Sequence, residues 1–222
     1  MFIVDKAPAS INQALPVPKV IFFDIDDTLS RNGIIATHNQ ATLEALAKTD
    51  IKLVISTGRS KAILPADILA LLEAEVLDAI ICMNGQYSFD NKGLISHYPL
   101  SAEQADKIVQ LCQTSQLIHK FDSATHIAWS DENERLRDFN AKTPNSIVDP
   151  LYYQSNPVYQ CSVFFNNQFD KMQDIDFAQD DLKLVHWHHI GADILPANAS
   201  KARGIKDVCR YYGVDATECM AF

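Results

Sequence analysis

Hydrophobic positions fall into two patterns along this chain. Val20-Ile21-Phe22-Phe23, Ile51-Lys52-Leu53-Val54-Ile55 and Asp78-Ala79-Ile80-Ile81-Cys82 are short, nearly unbroken apolar runs, as strands buried on both faces require. Between them apolar residues recur at helical spacing. Leu43, Leu46 and Ala47 share a stripe over 39–48, and a second helix is expected over 61–74, with Pro65 in or near its first turns. Strands alternating with helices at this spacing predict βαβ units and a parallel sheet.

The rhythm changes after Asn84-Gly85. Tyr87–Phe89 and Leu94–Tyr98 flank Asn91-Lys92-Gly93, a hairpin signal. Ser101 followed by Gln104 opens a helix with a capping-box pattern, and its stripe runs Ala105, Ile108, Val109, Cys112. Short strands follow at 118–121, 126–129, 158–165 and 182–187. Hairpins mixed with helices suggest an α+β module of about a hundred residues inserted into the first domain. The α/β rhythm resumes with 190–195 as a strand, a helix over 200–212 and a last strand over 218–222.

The chain has 222 residues with 19 Lys plus Arg against 28 Asp plus Glu, a net charge of −9. Without a basic cluster it is a poor partner for nucleic acid or an anionic membrane. No apolar run approaches the roughly 20 residues that span a bilayer. Residues 1–17, with Asp5 and Lys6, lack the apolar core of a secretory signal and read as an extended arm. Five scattered cysteines with no CxxC pair fit a reducing cytoplasm better than a disulfide framework or structural zinc.

The sharpest chemical feature is Asp24-Ile25-Asp26-Asp27-Thr28-Leu29, three carboxylates directly after a buried strand. If that strand continued, Asp24 and Asp26 would share a face with Cα atoms about 7 Å apart. Their repulsion would be about 2 kcal/mol at an effective dielectric near 20. Two readings remain at this point. One is a Mg2+ site with a carboxylate nucleophile at the carboxyl end of a parallel strand. The other is a solvated acidic turn in which Asp26 or Asp27 caps a helix. Ser56-Thr57-Gly58-Arg59 follows the second strand at the same sheet end, either as a cradle for phosphate oxygens or as a plain strand-to-helix turn. Lys201 stands in the first turn of a helix, against the helix dipole, where it either points at an anion or is screened by solvent. His186, His188 and His189 form the densest histidine group, yet no third metal ligand is suitably spaced, so they read as strand side chains.

Taken in order, these residues resemble a known family. Asp24-Ile25-Asp26-Asp27-Thr28-Leu29 is similar to motif I of the haloacid dehalogenase-like (HAD) superfamily. Ile55-Ser56-Thr57-Gly58-Arg59 is similar to motif II as found among Cof-type sugar-phosphate phosphatases, with Asn84-Gly85 recurring just before the cap. Ser200-Lys201 resembles motif III. The resemblance covers nearly everything from Lys19 onward. It implies a Rossmann-like parallel-sheet α/β core with an inserted α+β cap of the C2 type, subclass IIB. The expected boundaries are an arm over 1–17, core over 18–85, cap over 86–188 and core over 189–222, incomplete at its C-terminal end.

The resemblance also implies a Mg2+-dependent phosphatase acting on a small phosphorylated metabolite, a sugar phosphate. Asp24 would be the nucleophile and a metal ligand. Asp26 would be the acid–base and, through its backbone carbonyl, the second metal ligand. Thr57, Gly58 and Lys201 would hold the phosphoryl group, with Arg59 and Asn84 at the substrate or cap junction. The family's motif IV acid has no counterpart up to Phe222, which implies an impaired chain as given. A non-catalytic binding protein of the same fold and a phosphomutase are the alternatives.

Overall fold

The computed structural model describes residues 16–31, 34–131, 143, 145–165 and 177–222. The arm expected over 1–17 lies outside these except for its last two positions. The first half contains strand β1 (Val20–Phe23), the small hairpin β2 (Ser30–Arg31) and β3 (Ile34–Ile35), helix α1 (Thr37–Leu46), strand β4 (Lys52–Ser56), helix α2 (Ala66–Glu73), strand β5 (Ala79–Cys82) and the hairpin β6 (Tyr87–Asp90) and β7 (Gly93–His97). Helix α3 (Ala102–Thr114) follows, then strands β8 (Ile118–Asp122), β9 (Ile127–Trp129), β10 (Ser146–Val148), β11 (Gln160–Phe164), β12 (Leu182–His188) and β13 (Gly191–Pro196). Helix α4 (Lys201–Tyr212) and strand β14 (Cys219–Ala221) close the chain as given.

The described strands form two six-stranded sheets and one two-stranded ribbon. The first sheet has the order β14-β1-β4-β5-β6-β7, parallel from β14 to β5 and antiparallel beyond. The apolar runs explain it: β1 and β5 are buried at every position. Alternate residues face two helical layers. Ile21, Phe23, Leu53, Ile55 and Ile80 pack with Leu43 of α1 and Ile68, Leu71 and Leu72 of α2. Val20, Phe22, Val54, Ala79 and Ile81 pack with Val208 and Cys209 of α4.

The second sheet has the order β10-β9-β8-β11-β13-β12 and is antiparallel except for β9–β10. Its outer face, including Phe121, Cys161, Val163 and Ile194, packs on Ala105, Ile108 and Cys112 of α3. The capping box predicted for this helix forms, with Ser101 and Gln104 exchanging side-chain-to-backbone bonds. The inner face meets the core through Ile127 and Trp129, which cluster with Ala62.

Two expectations change. The helix expected over 61–74 begins only at Ala66. Lys61–Ile63 is a single 3-10 turn, and Leu64 is extended at ψ 140°, because the ring of Pro65 excludes the preceding residue from the helical region. The sheet pairings also shift the boundaries expected at 86 and 189. Tyr87–His97 extends the core sheet through β5–β6 pairing, and Gly191–Pro196 pairs with β11 and β12 in the second sheet. A hairpin pattern specifies its own two strands but carries no information about which sheet they join. The chain therefore crosses between the layers around Tyr98–Leu100 and Ala197–Ser200.

Helix α4 is held unusually close to the turn at Met83–Gly85. A Cβ on Gly204 would lie 2.5 Å from Ile81 Cγ2 and 2.9 Å from Gly85 Cα. One on Gly85, whose φ is +85°, would lie 2.0 Å from the Ser200 carbonyl oxygen. Gly204→Ala is therefore expected to lower the unfolding free energy by roughly 1–3 kcal/mol through overpacking, and Gly85→Ala by more, because clash and backbone strain combine there. Urea unfolding of both variants checks the magnitude and the order.

Candidate active site

The site is built where β1 and β4 end and α4 begins. Strand β1 stops at Phe23, and the Ile25 carbonyl accepts the amides of Leu29 (3.1 Å) and Ser30 (2.8 Å). Asp27 takes a left-handed φ of 59° within this turn. The continued strand that would have put Asp24 and Asp26 on one face is thus replaced by a tight turn. Neither Asp26 nor Asp27 caps a described helix; α1 starts after Ala36 with no side-chain cap.

Asp24 points across the sheet end. Its Oδ1 accepts the Ile25 amide at 2.8 Å and its Oδ2 accepts Lys201 Nζ at 2.5 Å. The cation that seemed misplaced at a helix start therefore has its anion. Ser200 caps that helix, its hydroxyl accepting the Arg203 amide. Asp26 receives a two-pronged bond from Arg59, Nε to Oδ2 at 2.9 Å and Nη2 to Oδ1 at 2.7 Å. This fork, more than the opposing burial, holds the Asp26 carboxyl below the usual carboxylate range.

Motif II residues divide between the surface and the interior. Gly58 and Arg59 line the cleft. Thr57 is fully buried, its hydroxyl accepting the Arg59 amide at 3.2 Å, and it does not reach the cleft. Asn84 does, from a left-handed conformation (φ 54°, ψ 42°), and its side chain lies where a Cβ on Gly58 would be 3.3 Å from Asn84 Oδ1. Asp24, Asp26, Gly58, Arg59, Asn84 and Lys201 thus converge on one cavity of about 410 Å3 between the core and the inner face of the second sheet. Among the described residues no group of three or more His, Cys, Asp or Glu side chains is placed to hold a metal.

A family profile described as haloacid dehalogenase-like hydrolase matches residues 21–222. The chain belongs to this family. A Bacillus subtilis (strain 168) relative named "Putative phosphatase YkrA" is 26% identical over 92% of this chain and 78% of its own. The solved structure of the HAD subclass IIB sugar phosphatase BT4131 superposes with a TM-score of 0.76 at 24% identity, over 92% of this chain and 80% of the other. BT1666 from Bacteroides thetaiotaomicron, described as a phosphatase of the same superfamily, gives 0.77 at 21% identity over 96% and 80%. At these identities the two structures establish the shared fold.

The far wall of the hydrolase's cleft was not singled out by its sequence motifs. It consists of Lys120, Asp122, Gln160, Ser162 and Asp193, with Trp187 beside them. The signal was present as period-two alternation: Lys120 and Asp122 flank Phe121, and Gln160 and Ser162 flank Cys161. Lys120 and Asp122 form an ion pair of 2.5 Å with only 7% and 2% of their side chains exposed. Such a pair adds little stability over apolar residues of equal volume, whereas removing one partner costs roughly 3–5 kcal/mol.

Burial, the largest influence, pushes Asp193 up from 3.8 to about 6. Between those values the folded hydrolase holds a proton that the unfolded chain has lost, so this group's contribution to stability falls as pH rises from about 4 to 6. Two pH units correspond to roughly 3 kcal/mol. Asp193→Asn is expected to remove this decline, making the variant relatively more stable at pH 7.5 than at pH 4.5 when both chains are unfolded in urea.

Proposed function

We propose that the chain is a Mg2+-dependent phosphatase that hydrolyses a small phosphorylated metabolite, a sugar phosphate, through an aspartyl-phosphate on Asp24. The observation that carries this reading is the Asp24–Lys201 pair at the carboxyl end of β1, facing the same cavity as the Gly58 turn. YkrA is named a phosphatase and BT4131 a sugar phosphatase, which supports the hydrolysis of a phosphate ester. A cavity of about 410 Å3 falls within the roughly 300–1,000 Å3 of small-molecule sites. No described helix is long and apolar enough to cross a membrane, and all five cysteines are free thiols, which supports the cytoplasm as the working compartment.

The donors fit Mg2+. The Asp24 carboxylate and the Asp26 backbone carbonyl would offer only oxygen ligands, and this cation commonly takes one or two protein carboxylates while keeping several waters. Bound there, it would neutralise charge on the phosphoryl oxygens.

Asp24 attacks phosphorus in line as the bond to the leaving oxygen breaks. Lys201 balances the charge on Asp24 and the phosphoryl group, and the Gly58 amide is open to a phosphoryl oxygen. Asp26 gives its proton to the leaving oxygen. Water then attacks the same phosphorus, Asp26 takes its proton, and the bond to Asp24 breaks. Because the Arg59 fork keeps Asp26 ionised, it opens before Asp26 can act as an acid. Thr57 could reach a phosphoryl oxygen only after its hydroxyl leaves the Arg59 amide; as folded, it supports the turn.

With Mg2+ present, free phosphate should be released from p-nitrophenyl phosphate and from hexose 6-phosphates, at the reduced rate expected of a chain without the motif IV acid. Asp24→Asn should lower kcat by on the order of 10³-fold or more, and Lys201→Met by on the order of 10²-fold. Retained activity in Asp24→Asn would remove the nucleophile from this reading. Phosphate moved to another sugar position without release into water would make the protein a mutase.

A further inference from the structure

The cap face opposite Asp24 and Lys201 carries polar groups that the mechanism leaves without a task. Strands β8, β11 and β13 lie side by side, with Asp122 opposite Gln160, Lys120 opposite Ser162, and Ser162 opposite Asp193. All five therefore share one face, and all five line the cavity. Lys120, Asp122, Gln160 and Ser162 are each at most 5% exposed. Burying so many polar groups is unfavourable unless they are paired, and the protein pairs them only in part. Asp122 accepts Lys120 Nζ on Oδ1 and Gln160 Nε2 on Oδ2 (2.6 Å). Asp193 Oδ1 accepts both Ser162 Oγ (2.7 Å) and Trp187 Nε1 (3.0 Å). Gln160 Oε1 has no partner, and among the described residues nothing donates to Asp193 Oδ2.

The open groups are therefore acceptors, set beside an ammonium with donors to spare. A hydroxyl both donates and accepts, so neighbouring hydroxyls can satisfy such a mixed wall. Charge sharpens the choice. One lysine faces two aspartates, leaving the wall at −1 when both are ionised, which holds for Asp193 above about pH 6. A second anionic group on the ligand would meet Asp122 and Asp193 at close quarters in a site of low dielectric. Phe164 and Trp187 add an aromatic flank to the same cavity, suited to the C–H face of a sugar.

We propose that Lys120, Asp122, Gln160, Ser162 and Asp193 form the leaving-group subsite, and that it selects a neutral polyhydroxylated group while rejecting one that carries a second anion. This rests on the phosphatase reading above, and the two can fail separately. The test uses the Asp24→Asn chain with Mg2+, titrated calorimetrically with inorganic phosphate, glucitol 6-phosphate and 6-phosphogluconate. The last two differ at the far end by a hydroxymethyl against a carboxylate.

Glucitol 6-phosphate is expected to bind about tenfold or more tightly than 6-phosphogluconate. Adding Asp193→Asn should shrink that ratio at least about threefold, because one of the repelling charges is gone. Adding Gln160→Leu should narrow the gap between glucitol 6-phosphate and inorganic phosphate by about as much. Equal binding of the matched pair, or tighter binding of 6-phosphogluconate, overturns the proposal even if neither variant folds. Ratios unmoved by both folded variants overturn it as well. If inorganic phosphate and both esters all fail to bind, the phosphatase reading falls and the subsite with it.

Discussion

The site depends on one long-range ion pair. Lys201 and Asp24 are 177 residues apart in sequence and meet at 2.5 Å. Neither element could hold this geometry alone. A lysine at a helix start opposes the helix dipole, and a carboxylate at the end of a buried strand needs a counter-charge. Each resolves the other's difficulty, provided α4 sits at the right depth. That depth is set by the contact of Gly204 with Gly85 and Ile81, where any side chain would push the helix and its lysine away from β1. A packing constraint between two glycines thus acts on an electrostatic contact at the sheet end.

The same contact shows why parts of the molecule were legible in sequence and others were not. The three buried strands and the capping box at Ser101 could be read, and Asp24, Asp26, Gly58, Arg59, Asn84 and Lys201 could be picked out as residues that would line one cleft, because apolar runs and strand-end chemistry are local patterns. Sheet membership was not legible. Whether Tyr87–His97 and Gly191–Pro196 belong to the core or the cap is decided by neighbours far away in sequence. Thr57 illustrates a finer limit. Its type and position suit a phosphate cradle, but only the fold shows that its hydroxyl is turned inward to the Arg59 amide. The cap wall was legible in principle, since polar residues alternate through otherwise apolar strands, but no short motif marks it.

The connections between core and cap are anchored mainly on the core side. Tyr98 donates its hydroxyl to Asp207 Oδ2 at 2.7 Å, and the Arg203 guanidinium lies 4.0 Å over the same ring. Both partners are on α4, the helix that carries Lys201. Gln86 Nε2 adds bonds to the Tyr98 and Tyr159 carbonyls. The first crossing is therefore tied to the element that positions the cation.

On the opposite side of the cleft core and cap are joined as well. The segment after Arg59 carries three core–cap contacts there: Ser60 Oγ donates to the Ser123 carbonyl at 2.7 Å, Asn145 Nδ2 donates to the Ala62 carbonyl at 3.3 Å, and Ala62 packs with Ile127 and Trp129. A cap that swings away must break these bonds, and their residues lie one to three positions from the guanidinium that restrains Asp26. Pro65 keeps this stretch from joining α2, leaving it as a 3-10 turn with extended flanks rather than a rigid helix. The Arg59–Asp26 fork and the cap contacts thus share one short, non-helical support. The protonation state available to Asp26 and the position of the cap are therefore constrained by the same few residues.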